Sequence, residues 1–456
     1  MSIATDPLLA PLPSSLPAVE RAARMPAGFK AGGMTAGIKA SGRPDLALIV
    51  TTQGPAAAAA VFTPNRFAAA PVRLSEANLL ETDPQGGGRR GWAEAIVSTS
   101  GSANAATGAA GDADQAAVGQ AVCEVTGAIP NRVLHLSTGI IGTRLPVERV
   151  RTGLGRLAPS LSATAEGLVA AAEALRTTDS VTKVASTQIE LADANGRTRT
   201  VTVTGIAKGV GMIHPRMATM LSVLLTDAGA PPPVLATILG RVAARTWNQL
   251  SVDGDTSTND TVFLLDSATK TGPLLAHEAI AAFEAAVEAV ARDLARQQAA
   301  DGEGATSLIT CQVSGAADDA DARAVARAVV SSSLVKAAVH GKDPNWGRIA
   351  GAAGNATLAE AAILRAAGLD EDEAARRAGT AAVVDPSRLR IAIAGHLVYD
   401  GTAGGPVAFD RAAARAAMDA PETLIRLDLG LGDGTGEAFG CDLTEEYVRE
   451  NSEYTT

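Results

Sequence analysis

The stretch GMIHPRMATMLSVLL (211–225) places the hydroxyl of Thr219 between Ala218 and Met220, in a run that is largely apolar. A β-branched residue among leucines and valines fits a buried strand, in which Thr219 would serve packing alone. A threonine hydroxyl is also one of the groups that enzymes use as a covalent nucleophile. The stretch by itself leaves both interpretations open.

Strand-like and helix-like segments alternate along the chain. Runs rich in Val, Ile and Leu predict strands at 46–50, 93–98, 132–137, 199–205, 261–266, 307–313, 389–395 and 423–430. Apolar residues at three- and four-residue steps predict a helix over 277–300. A second helix is expected over 233–246, after three prolines that suit a helix start. The short run PAAAAAV (55–61) indicates close packing. The pattern predicts a mixed α and β fold with helices covering sheets.

Composition and charge narrow the class of protein. The 456 residues suffice for two or three domains, and 46% hydrophobic with 19% charged residues is a globular composition. A net charge of −10 argues against a nucleic-acid partner. No apolar run approaches the roughly 18 residues of a membrane span. Residues 1–17 lack the basic start of a secretory signal and predict a loose, Pro-rich tail.

The cysteines and histidines give little support to a metal or disulfide framework. Cys123, Cys311 and Cys441 are far apart and form no CxxC pair, and the five histidines form no HExxH. We therefore expect no metal and no bound cofactor. This cysteine usage favours the reducing cytoplasm.

Polar, glycine-rich segments interrupt the apolar elements and predict one shared pocket. They are SGSANAATG (100–108), STGIIG (137–142), AKGVGMIHP (207–215), SVDGDTSTND (251–260), DGEGAT (301–306) and GKDPNWGR (341–348). The sequence contains neither a GxxxxGK[ST] phosphate loop nor a GxSxG nucleophile elbow. Covalent chemistry would therefore need a different nucleophile.

Several motifs together resemble one enzyme family. KGVGMIHPRMATML (208–221) is similar to the self-cleavage segment of the ornithine acetyltransferases, also called glutamate N-acetyltransferases, of arginine biosynthesis. The resemblance continues in order through GFKAGGMTAGIKASGRPDLALIV (28–50), FTPNRFAAAPV (62–72), STGIIG, VDGDTSTNDT (252–261), DGEGAT, DPNWGR (343–348) and CDLTEEYVRENSEYTT (441–456). Such an ordered series is far more specific than any one motif.

The resemblance implies a self-cleaving acetyltransferase. The precursor would cut its Ala218–Thr219 bond, and Thr219 would become the first residue of a β chain and the nucleophile. The family moves an acetyl group from N-acetylornithine to glutamate, giving ornithine and N-acetylglutamate, and some members also accept acetyl-CoA. The matching site residues are Thr138 and Gly139 for the oxyanion hole, Glu303 for catalysis and substrate binding, and Thr177, Lys208, Thr219, Asn451 and Thr456 for substrate binding.

The chemistry fits a threonine that acquires a new N-terminus. A hydroxyl is a weak nucleophile until a base removes its proton, and no histidine is placed by the sequence to do so. The free α-amine of an N-terminal Thr219, with an ordinary pKa of about 8, can act as that base. Cleavage must therefore precede transfer. Small Ala218, with Gly209 and Gly211 nearby, makes strain at this bond plausible.

The resemblance also implies the organisation of the chain. We expect an α+β fold, an αββα-type sandwich followed by a smaller C-terminal α/β region. The predicted segments are a tail over 1–17, an α chain over 18–218 and a β chain over 219–456, with a soft boundary near 303–307 and a C-terminal tail that returns to the site. The family implies two α and two β chains.

Departures from the family pattern leave alternatives open. Arg216 and Ser102 stand where the family usually has Asn, and SSSLVK (331–336) lacks a usual Pro. One alternative is a same-fold acyltransferase or amidase of specialised metabolism with another substrate. Another, of a different class, is a non-catalytic protein that binds a small ligand. In each case Asp253, Asp255 and Asn259 are expected to be scaffold residues of the site.

Overall fold

The computed structural model describes residues 13–214, 220–270 and 272–452. The predicted site residues Ala218, Thr219 and Thr456, together with most of the predicted tail, lie outside the described residues. The strands are β1 (Phe29–Met34), β2 (Leu46–Thr51), β3 (Ala56–Phe62), β4 (Arg90–Ala93), β5 (Ala95–Ser102), β6 (Val133–Ile140), β7 (Lys183–Ala192), β8 (Thr198–Lys208), β9 (Leu221–Thr226), β10 (Leu250–Ser251), β11 (Thr261–Asp266), β12 (Leu308–Ala316), β13 (Arg390–Ile393), β14 (His396–Asp400), β15 (Gly405–Pro406), β16 (Glu422–Asp428) and β17 (Gly434–Cys441). The helices are α1 (Ala70–Thr82), α2 (Gly108–Thr126), α3 (Val147–Leu157), α4 (Ala165–Leu175), α5 (Pro232–Arg245), α6 (Ile280–Ala300), α7 (Asp319–Ser331), α8 (Ser333–His340), α9 (Trp346–Gly354), α10 (Ala361–Ala366), α11 (Glu371–Arg377), α12 (Arg411–Ala417) and α13 (Glu445–Ser452).

The described strands form three sheets. Sheet A has the order β4-β3-β11-β9-β8-β7, and sheet B has the order β1-β2-β5-β6. Sheet C, in the order β10-β17-β12-β16-β13-β14-β15, is built almost entirely from residues that follow position 307. All eight predicted strand segments overlap strands of these sheets, and the two predicted helices correspond to α5 and α6.

Helices and sheets A and B are stacked in layers. Helices α5 and α6 cover the outer face of sheet A, and α2 and α3 cover the outer face of sheet B. The inner faces of the two sheets share one core. Helices α1 and α4 each contact both sheets and contribute to this core. The predicted α+β fold is confirmed. The layers follow the order helix, sheet, sheet, helix, and α1 and α4 lie beside the core that the two sheets share.

The alanine run that predicted close packing forms strand β3. All of its residues are buried. Ala57 and Ala59 face the core with α5 and α6, whereas Ala56, Ala58 and Ala60 face the core shared with sheet B. Alanine is a poor strand former, so burial on both faces, and not intrinsic preference, accounts for this strand. Its methyl side chains let the adjoining layers approach closely.

Sheet C has its own core and is attached to α6 by buried ion pairs. Helices α7, α8 and α9 pack on it. Arg296, which is 2% exposed, pairs with Glu422 of β16 at 2.9 Å, and Arg292 pairs with Glu437 of β17 at 2.9 Å. Helix α6 thus packs on sheet A and also holds sheet C. The division into separate domains near 303–307 stays a prediction.

Three further observations concern the described part of the chain. Cys123, Cys311 and Cys441 are free thiols. Within the described ranges, His, Cys, Asp and Glu side chains form no group of three that could hold a metal ion. No helix described there is both long and apolar enough to cross a membrane.

The packing of β3 predicts that larger side chains are not tolerated. Ala58→Leu inserts a bulky group at a fully buried position opposite Leu265. We expect a loss of about 1–3 kcal/mol in the free energy of unfolding, because overpacking strains neighbouring side chains. Urea denaturation measures this loss. Ala413→Leu on the exposed face of α12 is the control, and equal midpoints for the two variants would contradict the packing described.

Candidate active site

The predicted site residues that the structure describes line one cavity of about 400 Å³. They are Thr138, Gly139, Thr177, Lys208, Glu303 and Asn451. The further lining residues, all but Thr178 in glycine-rich segments that the sequence predicted to share one pocket, are Ala103, Ile140, Ile141, Thr178, Val210, Gly211, Met212, Ser257, Thr258 and Asn259. Seven separate segments of the sequence therefore line one cavity.

One wall of the cavity joins sheets A and B. Thr138 lies near the end of β6 in sheet B, and Lys208 is the last residue of β8 in sheet A. The Lys208 ammonium donates a hydrogen bond to Thr138 Oγ1 at 3.1 Å. Because an ammonium can only donate, the Thr138 hydroxyl accepts here and its own proton is left to donate to another group.

Lys208 is held in a charged and partly enclosed setting. Burial lowers its pKa below the ordinary value of 10.5, an effect opposed by the charge of Asp179 and reinforced by that of Lys183. Its backbone is fixed, since Gln298 Nε2 donates to the Lys208 carbonyl at 2.8 Å. The indole of Trp247 in turn donates to Gln298 Oε1 at 3.1 Å.

A second wall of the cavity is organised around Glu303, which follows α6. Its carboxylate accepts hydrogen bonds from Thr178 Oγ1 at 3.0 Å and from Asn451 Nδ2 of α13 at 2.9 Å. Its backbone N–H donates to the Val210 carbonyl at 2.9 Å. A Cβ added to Gly211 would lie 2.2 Å from Glu303 Oε2, so the carboxylate occupies space that only glycine leaves open. Helix α13 thus brings the end of the chain to the cavity.

Gly139 occupies a position that excludes any side chain. Its φ is +131°, and an added Cβ would lie 2.4 Å from the carbonyl carbon of Gly101 on β5. Asn259 braces the same region, as its Nδ2 donates to the carbonyl oxygens of Ala103 at 2.7 Å and Ser137 at 2.8 Å. These contacts suit the expected scaffold role of Asn259.

The other two expected scaffold residues differ from each other. Asp253 accepts hydrogen bonds from the backbone N–H groups of Met212 and Ile213, in the segment that leads toward residue 218. Met212 has a φ of +53°, which is uncommon for a residue with a side chain. Asp255 is exposed, and its N–H donates to the Asp253 carboxylate at 3.1 Å.

A second, smaller cavity adjoins the first beside the start of β9. It measures about 30 Å³ and shares Thr138, Lys208 and Asn259 with the larger cavity. Met220 and Leu221 also line it, and Met220 directly follows Thr219 in the sequence. The described chain therefore resumes after residue 219 next to the Thr138–Lys208 wall.

The sequence missed a buried ionic cluster behind the cavity, made of Asp179, Lys183 and Asp301. Asp179 lies two residues after the predicted site residue Thr177, and Asp301 lies two residues before Glu303 in DGEGAT. That proximity was the available signal. Lys183 gives no such signal, because it lies in none of the motifs or predicted elements of the sequence.

The departure at Ser102 lies outside the cavity lining. Its hydroxyl donates to the Thr143 carbonyl at 2.7 Å and accepts from the Asn104 N–H at 3.2 Å, which closes a local turn. Ser332 in SSSLVK caps α8 by accepting from the Val335 N–H. Arg216 lies outside the described residues.

Comparison with known proteins identifies the family. A model of the ArgJ family matches residues 30–456. The chain belongs to the ArgJ family. Relatives named arginine biosynthesis bifunctional protein ArgJ are 44% identical over 418 residues in Synechococcus sp., covering 91% of this chain and 93% of the relative. The relative from Thermus thermophilus is 43% identical over 435 residues, covering 95% of this chain and 100% of the relative.

One solved structure is similar to part of this chain. Ornithine acetyltransferase from Mycobacterium tuberculosis, complexed with ornithine, is 38% identical and covers 43% of this chain and 97% of its own, with a TM-score of 0.37. The family model and the two ArgJ relatives confirm the family that the ordered motifs indicated.

The close contact at Gly211 predicts a specific rearrangement. In Gly211→Ala the new methyl group must displace the Glu303 carboxylate, because the two would lie 2.2 Å apart. We expect a crystal structure of this variant to show Glu303 turned away, without its hydrogen bonds to Thr178 and Asn451. Gly155→Ala adds the same methyl group where nothing lies within 4 Å. An unmoved Glu303 would contradict the geometry described.

Proposed function

We propose that this chain is an arginine-biosynthetic acyltransferase that moves an acetyl group from N-acetylornithine to glutamate through an ester on Thr219. Its ArgJ relatives carry the name of an arginine biosynthesis bifunctional protein. The observation that carries the proposal is the meeting of six site residues in one cavity, beside the point at which the described chain resumes after Thr219.

Self-cleavage is the first proposed step. The Thr219 hydroxyl attacks the Ala218 carbonyl carbon, the peptide C–N bond breaks, and the Thr219 nitrogen takes a proton. The resulting ester joins Ala218 to the Thr219 oxygen, and water hydrolyses it. The products are an α chain ending at Ala218 and a β chain beginning at Thr219, whose new α-amine can act as a base.

Acetyl transfer follows in two halves. The α-amine accepts the hydroxyl proton while Thr219 Oγ attacks the acetyl carbonyl carbon of N-acetylornithine. The C–N bond then breaks, ornithine leaves with the proton on its nitrogen, and the acetyl group remains as an ester. The amine of glutamate attacks this ester, a new C–N bond forms while the ester C–O bond to Thr219 breaks, and the proton lost by the glutamate nitrogen returns to the Thr219 oxygen.

Each half passes through a tetrahedral oxyanion. We assign its stabilisation to the Thr138 hydroxyl and the Gly139 N–H. The hydrogen bond from Lys208 supports the first assignment, since it leaves the Thr138 proton free to donate. Lys208 also offers positive charge to a substrate carboxylate. Glu303 would bind the ornithine side-chain ammonium or assist proton transfer between the leaving and entering amines.

Four finer features belong to the same proposal. Acetyl-CoA is a second acetyl donor that would let the enzyme make N-acetylglutamate without N-acetylornithine, as the word bifunctional in the relatives' names suggests. Thr177, Asn451 and Thr456 contact substrate. Two α and two β chains of the same precursor assemble together. The enzyme works in the cytoplasm and uses neither metal nor bound cofactor.

The role of Thr219 is tested directly by its removal. Thr219→Ala should leave one uncut chain without transferase activity, because both the hydroxyl and the new amine are lost. Denaturing gels and intact mass then show a single species, whereas the unaltered protein gives residues 1–218 and 219–456. Active protein consisting only of intact chain would refute the proposal. Incubation of the cut protein with N-acetylornithine should add one acetyl group to the β chain.

Product analysis separates the proposed transferase from its rivals. The transferase should form N-acetylglutamate much faster than it releases acetate from N-acetylornithine. Comparable rates would favour an amidase of the same fold, and an unmodified β chain would favour a non-catalytic binding protein. Glutamate with acetyl-CoA, in the absence of N-acetylornithine, tests the second donor.

The charge of Lys208 predicts an alkaline limit to activity. Because burial lowers its pKa below 10.5, the ammonium loses its proton, and activity falls, as the pH rises through that lowered value. In Lys208→Arg the guanidinium keeps its charge, so residual activity should not show this alkaline fall. Lys39→Arg is the control, since burial lowers the pKa of this nearby lysine to about 8. A fall that persists in Lys208→Arg and disappears in Lys39→Arg would reassign the limit to Lys39.

A further inference from the structure

Lys183 is a fully buried cation held between two buried carboxylates. Its ammonium lies 2.7 Å from Asp179 Oδ1 and 2.6 Å from Asp301 Oδ2. Lys183 is 0% exposed, Asp179 1% and Asp301 6%. Burying such charges is costly unless each is paired and hydrogen-bonded. This cluster therefore needs an explanation beyond surface ion pairing.

Asp179 and Asp301 each bind a second part of the chain. The Asp179 carboxylate accepts the backbone N–H of Thr177 at 3.1 Å and that of Gly209 at 2.8 Å. The Asp301 carboxylate accepts the Ser180 N–H at 3.0 Å and also the Ser180 hydroxyl. These hydrogen bonds join three segments that are far apart in the sequence, 177–180, 208–209 and 301–303, and Lys183 links the two aspartates that make them.

These three segments carry three of the proposed substrate-binding residues, Thr177, Lys208 and Glu303. Lys183 itself lies behind the cavity wall, at the start of β7, where it pairs with Ala207 of β8. We propose that Lys183 is a positioning residue that sets the distances between these three groups and thereby the fit of the substrate. The inference rests on the proposed function, because it concerns the same cavity.

The charges around Asp179 show that this carboxylate interacts with both Lys183 and Lys208. Burial alone would raise the pKa of Asp179, but the positive charges of Lys183 and Lys208 outweigh this effect and hold the pKa well below its ordinary range. Asp179 is thus a carboxylate common to both lysines. Removing Lys183 would leave Asp179 and Asp301 buried together without the cation between them.

Lys183→Met tests the proposal, because methionine keeps much of the length and loses the charge. Lys183 makes its hydrogen bonds to Asp179 and Asp301 and not to Thr138, so we expect self-cleavage to proceed. The KM for N-acetylornithine should rise about 10- to 100-fold, the effect of losing a hydrogen bond to a charged group, while kcat changes less. Lys30→Met, at an exposed lysine, should leave both parameters unchanged.

The pH dependence of KM distinguishes positioning from a loss of structure. In Lys183→Met the Asp179 carboxylate loses one of the positive charges that lower its pKa, so it should take up a proton more readily and the KM defect should shrink as the pH is lowered. Lys183→Met with Asp301→Asn imitates that protonated state, because one negative charge is removed. The double variant should have a lower KM than the single variant, with little dependence on pH.

If Lys183→Met does not fold, the single variant Asp301→Asn tests the same proposal. It keeps Lys183 and should raise the KM through Glu303, with normal cleavage fragments. A KM within twofold of the unaltered protein in Lys183→Met, or in Asp301→Asn if only that variant folds, would overturn the inference while leaving the proposed function intact. An unaltered protein that neither cuts itself nor transfers acetyl groups would overturn both.

Discussion

The antiparallel pairing of Lys208 with Leu221 is the constraint on which the site depends. Paired residues of neighbouring antiparallel strands lie about 5 Å apart, so the connection 209–220 begins and ends at one point of sheet A. That connection contains the Ala218–Thr219 bond. Sheet B reaches the same point through Thr138, which accepts a hydrogen bond from Lys208. The cavity therefore lies where two sheets and both ends of one connection meet.

Loops that converge on this point bury backbone N–H groups that have no hydrogen-bond partner in a neighbouring strand. Such groups need another acceptor. The chain repeatedly uses an aspartate to accept them. Asp45 accepts the N–H groups of residues 36, 38 and 39, and Asp266 accepts those of residues 229, 230 and 268. Asp179 and Asp253 do the same at the cavity. A carboxylate can accept several hydrogen bonds at once, which explains buried acids in a chain of modest charge.

The sequence predicted the parts of this structure that depend on local pattern or ordered motifs. Strand β11 coincides with the Val- and Leu-rich run 261–266, and α6 lies within the predicted 277–300. Strand β3 was not predicted, because alanines gain a strand conformation here only through burial on both faces. Lys183 was missed for a related reason. Its partners come from segments about 120 residues apart, and only the folded chain brings them together.

The Thr138–Lys208 contact explains how one cavity can serve two amino acids under the proposed function. An ammonium has three N–H donors, so Lys208 can bind a carboxylate while it donates to Thr138. In an α-N-acetyl amino acid only the α-carbon and the nitrogen separate the carboxylate from the acetyl carbonyl. A carboxylate on Lys208 therefore brings that carbonyl toward the Thr138 hydroxyl, whereas an acetyl group on a distant side-chain amine would not reach it. N-acetylornithine and N-acetylglutamate share this α-substituted end and differ in the side chain. The wall that contains Glu303 must then accept both side chains. The position of the Glu303 carboxylate therefore becomes a determinant of substrate choice.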